Sequence, residues 1–119
     1  MNSITRPKKK LFIIVNPFSG RKKGGKIADK LSKILVEAGI SNKLVKTTHG
    51  GHAEEIAKTE SFTGYDALVT VSGDGLVNEV INGLRQREKD DAPPVAPIPA
   101  GSGNGLVAYL GTRTSFSFI

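Results

Sequence analysis

Apolar positions along this chain form two kinds of pattern. Short unbroken runs, Leu11-Phe12-Ile13-Ile14-Val15 and Ala67-Leu68-Val69-Thr70-Val71, read as strands buried on both faces. Elsewhere apolar residues recur at three- and four-residue steps. Ile27, Leu31, Ile34, Leu35 and Ala38 mark one face of a helix over residues 25–38, with Gly39 as its stop. Leu76, Val80 and Leu84, widened by Val77 and Ile81, mark a second helix directly after the 67–71 strand. Residues 42–48 alternate weakly and predict an outer strand. His49-Gly50-Gly51-His52 then turns into a short helix reaching Lys58, and 61–65 loop back to the central strand.

The remaining chain is read the same way. Prolines 93, 94, 97 and 99 cannot donate to a ladder, so the strand over 95–98 is short and near an edge. A Gly-rich turn at 100–105 leads into a helical stretch at 106–110, and 111–119 has no helical period and looks like a connector that should continue. Strand followed by helix, four times over, predicts an α/β fold: an open, doubly wound parallel sheet, Rossmann-like, in three αβα layers. All four strand-to-loop transitions then fall on one edge, where such sheets bind ligands.

At 119 residues the chain is one domain's worth, short for a two-domain enzyme. No apolar run approaches a membrane span and the start lacks a signal-peptide core, so a cytoplasmic location is expected. The absence of cysteine excludes disulfides and thiolate metal sites. The net charge of +6 is concentrated in Arg6, Lys8, Lys9, Lys10, Arg21, Lys22, Lys23 and Lys26. Residues 1–9 read as a disordered basic lead-in, either a solvated charge run or a peripheral contact with anionic membrane. With aromatics at 6% and none interleaved with the cations, no nucleic-acid partner is expected. Residues 85–91 read as an exposed charged loop with no specific role. His49 and His52 lack a third ligand for a metal, and His52 is expected to make local hydrogen bonds at its helix start.

The chemistry concentrates in the loops. Ser72-Gly73-Asp74-Gly75 sits between a buried strand and a helix, where backbone N–H groups and a helix N-terminus face a phosphate. A carboxylate is out of place for plain phosphate binding. It makes sense if Asp74 holds a metal ion or takes a proton from an attacking hydroxyl. Neither a P-loop nor a Gly-x-Gly-x-x-Gly in the first βα turn is present, which disfavours ordinary P-loop NTPases and dinucleotide enzymes.

Ser72-Gly73-Asp74-Gly75-Leu76-x-x-Glu79-Val80-x-Asn82-Gly83-Leu84 resembles the signature of the diacylglycerol/sphingolipid kinase superfamily. Pro99-Ala100-Gly101-Ser102-Gly103-Asn104 resembles its second glycine motif, and Asn16-Pro17, with Thr47 ahead of His52-Ala53, also fits. Ser-Gly-Asp-Gly-Leu and Pro-Ala-Gly-Ser-Gly-Asn resemble sphingosine (long-chain-base) kinases most. The resemblance implies a nucleotide-binding domain over 10–110, using ATP and Mg²⁺ to phosphorylate the primary hydroxyl of a sphingoid base. Diacylglycerol kinase and a non-catalytic nucleotide-binding fragment are the alternatives. It implies Asp74 as the catalytic carboxylate, as base or through metal. It further implies nucleotide contacts at Asn16, Thr47, Ser72, Gly73, Gly75, Glu79, Gly101 and Ser102. The lipid would enter through a β-rich second domain that such kinases have and these residues lack, so the fragment alone is expected to be inactive. Gly105 stands where alanine is more usual.

Overall fold

The computed structural model describes residues 9–89 and 91–98. In chain order they form β1 (Lys10–Val15), α1 (Ser19–Lys22), α2 (Gly24–Glu37), β2 (Ser41–Lys46), α3 (His52–Thr59), β3 (Ala67–Val71), α4 (Asp74–Arg85) and β4 (Val95–Ile98). The strands pair in the order β2-β1-β3-β4, all parallel. Consecutive strands leave β1 on opposite sides, so the chain switches direction between β1 and β3. In open α/β sheets that switch opens a crevice at the carboxyl ends of the strands.

The period of two along β1 sorts its side chains into two cores. Leu11, Ile13 and Val15 join Ala67, Val69 and Val71 under Ile27, Ala28, Leu31 and Leu35 of α2. Phe12 and Ile14 join Leu68 under Ala53 and Ala57 of α3 and Leu76 and Val80 of α4. Helices therefore cover both faces, as the continuous apolar runs of β1 and β3 require. Phe12 anchors the second core through edge-to-face contacts with Phe62 and Tyr65, at ring separations of 5.1 and 5.2 Å.

Two local readings change, and one element has no counterpart in the sequence reading: α1, ended by Lys22 in a left-handed conformation at φ 66°. α2 starts at Gly24 and stops at Glu37, and Ala28 rather than the exposed Ala38 completes its buried face. The 85–91 segment has a definite role. Arg87 Nη1 donates to the carbonyls of Ala57, Lys58 and Glu60 at the end of α3 (3.0, 3.3 and 2.7 Å), while Nε and Nη2 grip the Asp91 carboxylate at 2.9 and 3.0 Å. Its guanidinium also lies 5.0 Å from the centre of the Phe62 ring. One side chain thus caps a helix and pins the segment leading to β4.

Candidate active-site cleft

The register places the site. Val15 stands opposite both Lys46 and Val71, so β1, β2 and β3 end level, and Asn16, Thr47 and Ser72 follow at the same edge. Thr47 and Ser72 each extend the ladder by one bond, Thr47 N–H to Val15 O (2.9 Å) and Ser72 N–H to Ile98 O (3.2 Å), before the chain turns away. A cleft of about 290 Å³ opens there, and Asn16, Thr47, Ser72, Gly75 and Glu79 all line it. Gly73 precedes α4 and Asp74 is that helix's first residue. Gly101 and Ser102, with the rest of the second glycine motif, lie outside the described residues.

Each wall has a local cause. The Asn16 side-chain oxygen accepts from Phe18 N–H at 2.9 Å, and its carbonyl accepts from the Ser19 hydroxyl at 2.6 Å. This side-chain-mimicked turn swings the chain off β1 into α1. Gly24 lets α2 start against that turn, because a Cβ there would meet Asn16 O and Ser19 Oγ at 2.5 Å. The buried Thr47 hydroxyl is bonded to Val15 O at 3.4 Å. At Gly73 and Gly75 a Cβ would meet nothing within 4 Å, so the backbone at the head of α4 faces open space and a ligand can approach it closely.

Glu79 is engaged within the protein: its carboxylate accepts from Gly51 N–H at 3.0 Å, tying α4 to the turn before α3. That turn supplies Thr48, His49 and Gly50 to the cleft, and Phe18 and Leu76 add apolar surface. Sequence reasoning did not assign these five. Their signal was adjacency, since each lies within three residues of a motif position. Phe18 is the more telling case, a large apolar side chain left 68% exposed at the cleft.

The two histidines do not make a metal site between them. Their rings stack with centroids 4.7 Å apart at 11°, and His52 Nδ1 accepts from Thr48 N–H at 3.0 Å. Among the described residues no group of three or more His, Cys, Asp or Glu converges on a point where an ion would sit. Nor is any described helix long and apolar enough to cross a membrane.

The comparisons follow the same lines. Residues 10–118 match the family model for the diacylglycerol kinase catalytic domain. The chain is 41% identical to sphingosine kinase B of Dictyostelium discoideum, with 98% of this chain and 16% of that protein aligned. It is 43% identical to sphingosine kinase 1 of Arabidopsis thaliana over 91% of this chain and 23% of that protein. Human sphingosine kinase 1 is 39% identical over 85% of this chain and 27% of its own length. Among solved structures, a diacylglycerol kinase from Bacillus anthracis superposes with a TM-score of 0.65 at 28% identity, over 93% of this chain and 40% of that one. The chain belongs to the diacylglycerol kinase catalytic domain family, and it spans about a quarter or less of the length of these curated relatives.

Proposed function

We propose that this chain is the nucleotide-binding part of a lipid kinase that moves the γ-phosphoryl group of ATP to the primary hydroxyl of a sphingoid long-chain base. The observation that carries this reading is the level ending of β1, β2 and β3, which gathers Asn16, Thr47, Ser72 and Gly75 around one cleft. The open backbone at Gly73 and Gly75 suits phosphate oxygens, which backbone N–H groups at a helix start receive well. Phe18 offers an apolar face for a base. The names of the relatives favour a sphingoid base; the Bacillus neighbour, named a diacylglycerol kinase, keeps diacylglycerol as the second reading. The lipid would be received by parts of the protein outside residues 10–110.

Mg²⁺ fits this arrangement as an ion carried in with the nucleotide. It keeps most of its shell in water and phosphate oxygens and needs only one or two protein carboxylates. Glu79 is engaged by Gly51, and the resemblance makes Asp74, the first residue of α4, the carboxylate that would meet the ion if it acts through the metal. When bound, the ion would neutralise charge on the transferring phosphoryl group.

In the reaction, the lipid hydroxyl oxygen forms a bond to the γ-phosphorus as the bond to ADP breaks, and the hydroxyl proton passes to Asp74. Asn16, Thr47, Ser72 and the Gly75 backbone hold the nucleotide in place, and positioning is most of what phosphoryl transfer asks of a protein.

Calorimetry with MgATP and MgADP tests the site on the wild type and on Gly75→Trp. A Cβ at 75 meets nothing within 4 Å, so the variant is expected to fold with its indole in the cleft that Gly75 lines, and an unchanged melting temperature checks this. Nucleotide binding is expected to disappear. Wild-type affinity in a folded Gly75→Trp protein would place the nucleotide elsewhere.

A further inference from the structure

Among the described residues that line the cleft there is neither lysine nor arginine, and His49 is the one side chain that can carry positive charge. The cations close by in the chain are engaged elsewhere or stand outside. Lys46, which ends β2, pairs with Asp29 at 3.3 Å, and Lys22 and Lys23, where α1 meets α2, are exposed and do not line the cleft. Imidazole is also the side chain whose ordinary titration falls between about pH 5 and pH 8. A site suited to a polyanion thus holds a titratable cation in place of a permanent one.

The geometry decides which of the two stacked histidines takes the proton. His52 Nδ1 accepts the Thr48 N–H at 3.0 Å, so that nitrogen bears no hydrogen and His52 is neutral, with its proton on Nε2. Thr48 Oγ1 lies 2.9 Å from His49 Nδ1 and 3.5 Å from His52 Nδ1. With the His52 lone pair taken, the hydroxyl serves His49. A hydroxyl both donates and accepts, so His49 keeps this bond whether or not its Nδ1 carries a hydrogen. Protonating His52 at Nδ1 would instead break its bond to the backbone. With ring centroids 4.7 Å apart, two imidazolium charges would repel, so the pair takes one proton and it belongs to His49.

We infer that His49 meets the phosphates of the bound nucleotide as an imidazolium, and that the chain takes up a proton there as MgATP binds. The inference rests on the nucleotide reading of the cleft and adds how that site responds to pH. In the empty cleft a charge on His49 is disfavoured, because the residue stands just ahead of Gly51 and the positive end of α3. An arriving polyanion reverses that balance. The other titratable groups on the elements around the turn are acids. Glu79 of α4 lines the cleft and is engaged by Gly51 N–H at 3.0 Å. Glu54, in the first turn of α3, accepts from Gln86 at 3.1 Å, Glu55 follows it, and Asp74 opens α4. Because the nucleotide-bound state holds the proton more firmly than the free state, affinity rises as pH falls through the imidazole range and the gain is lost above it.

The test is calorimetry of MgATP binding to the 119-residue chain in two buffers of different ionisation heat, which counts the protons taken up. His49→Gln stays polar but cannot take the charge. It is the reference that subtracts the carboxylates and the nucleotide's own phosphate, which titrates near pH 6. At about pH 6.5 the wild type should take up more protons than this variant, by at most about one. From about pH 8 to about pH 6 it should gain about tenfold in affinity over the variant, the effect of one charge-assisted bond to phosphate. His52→Ala should melt lower, since Thr48 N–H loses its acceptor, yet keep the uptake. Equal uptake and equal pH dependence in wild type and a folded His49→Gln protein would overturn the inference. So would uptake that survives in His49→Gln and vanishes in His52→Ala. MgATP binding without the extra proton defeats only the role of His49, whereas no MgATP binding at any pH defeats the nucleotide reading and this inference with it.

Discussion

The carboxylate of Glu79, on α4, accepts a hydrogen bond from the backbone N–H of Gly51 at 3.0 Å. Gly51 opens α3, so this bond fixes the turn that brings Thr48, His49 and Gly50 to the cleft. Glu79 therefore shapes the site through the turn, whether or not it also touches a nucleotide. Glu79→Ala is expected to cost about 1 kcal/mol of stability, the net worth of such a bond. It should also speed amide exchange at Gly51 and weaken MgATP binding. Glu79→Gln keeps a carbonyl acceptor and should stay near wild type in both measurements. A glutamine variant as impaired as the alanine variant would show that charge, not the bond to Gly51, matters.

Gly83 sets how closely α4 and α3 approach. A Cβ added there would overlap the Glu54 carbonyl and come within 2.7 Å of the Ala57 Cβ. In an exposed helix, glycine to alanine gains nearly 1 kcal/mol. Here overpacking against backbone costs about 1–3 kcal/mol and outweighs that gain. Gly83→Ala should be less stable than wild type in urea denaturation. A more stable variant would mean that the helices separate freely.

The arrangement of strands and the edge they share were legible because β1 and β3 are continuous apolar runs, a pattern that only two-sided burial explains. Asn16, Thr47, Ser72 and Gly75 were named through the resemblance; parallel register explains why they share one cleft, since Asn16, Thr47 and Ser72 directly follow level strand ends and Gly75 lies in the first turn of α4. Arg87 was not legible. A charged stretch such as 85–91 looks solvated until α3 is known to end beside it, and no local pattern reveals carbonyls contributed by residues 57–60. The bond from Gly51 to Glu79, separated by 28 positions, escaped for the same reason. Gly83 read as one more motif residue, because close helix packing leaves no trace in periodicity.

Thr70 carries an unused polar group into the core. It is 1% exposed on β3, and its hydroxyl has no hydrogen-bond partner among the described residues. A buried hydroxyl without a partner costs about 1–3 kcal/mol relative to an apolar group of the same shape. Thr70→Val is therefore expected to raise stability by about 1 kcal/mol, seen as a higher urea midpoint at an unchanged denaturation slope. A loss of stability would mean that the hydroxyl is satisfied in solution, and a buried water would be the first partner to seek.

Asp91 gives the fold a defined response to acid. Its hydrogen bonds to the Arg87 guanidinium, aided by that group's charge, hold its carboxyl below the usual carboxylate range. The folded state therefore binds a proton less readily than the unfolded chain does. Stability from this pair is fully present above the unfolded value of about 4 and is lost as pH falls through the lower folded value. Arg87 stays charged throughout and adds no pH dependence of its own. Asp91→Asn should flatten the acid side of a plot of melting temperature against pH, with little effect near neutrality because the site is exposed and solvent screens it. Arg87→Lys should lower stability at every pH, since a single ammonium cannot serve three carbonyls and a carboxylate at once. If Asp91→Asn leaves the acid limb as steep as in wild type, other carboxylates govern acid unfolding and the Arg87 clamp works through the α3 carbonyls alone.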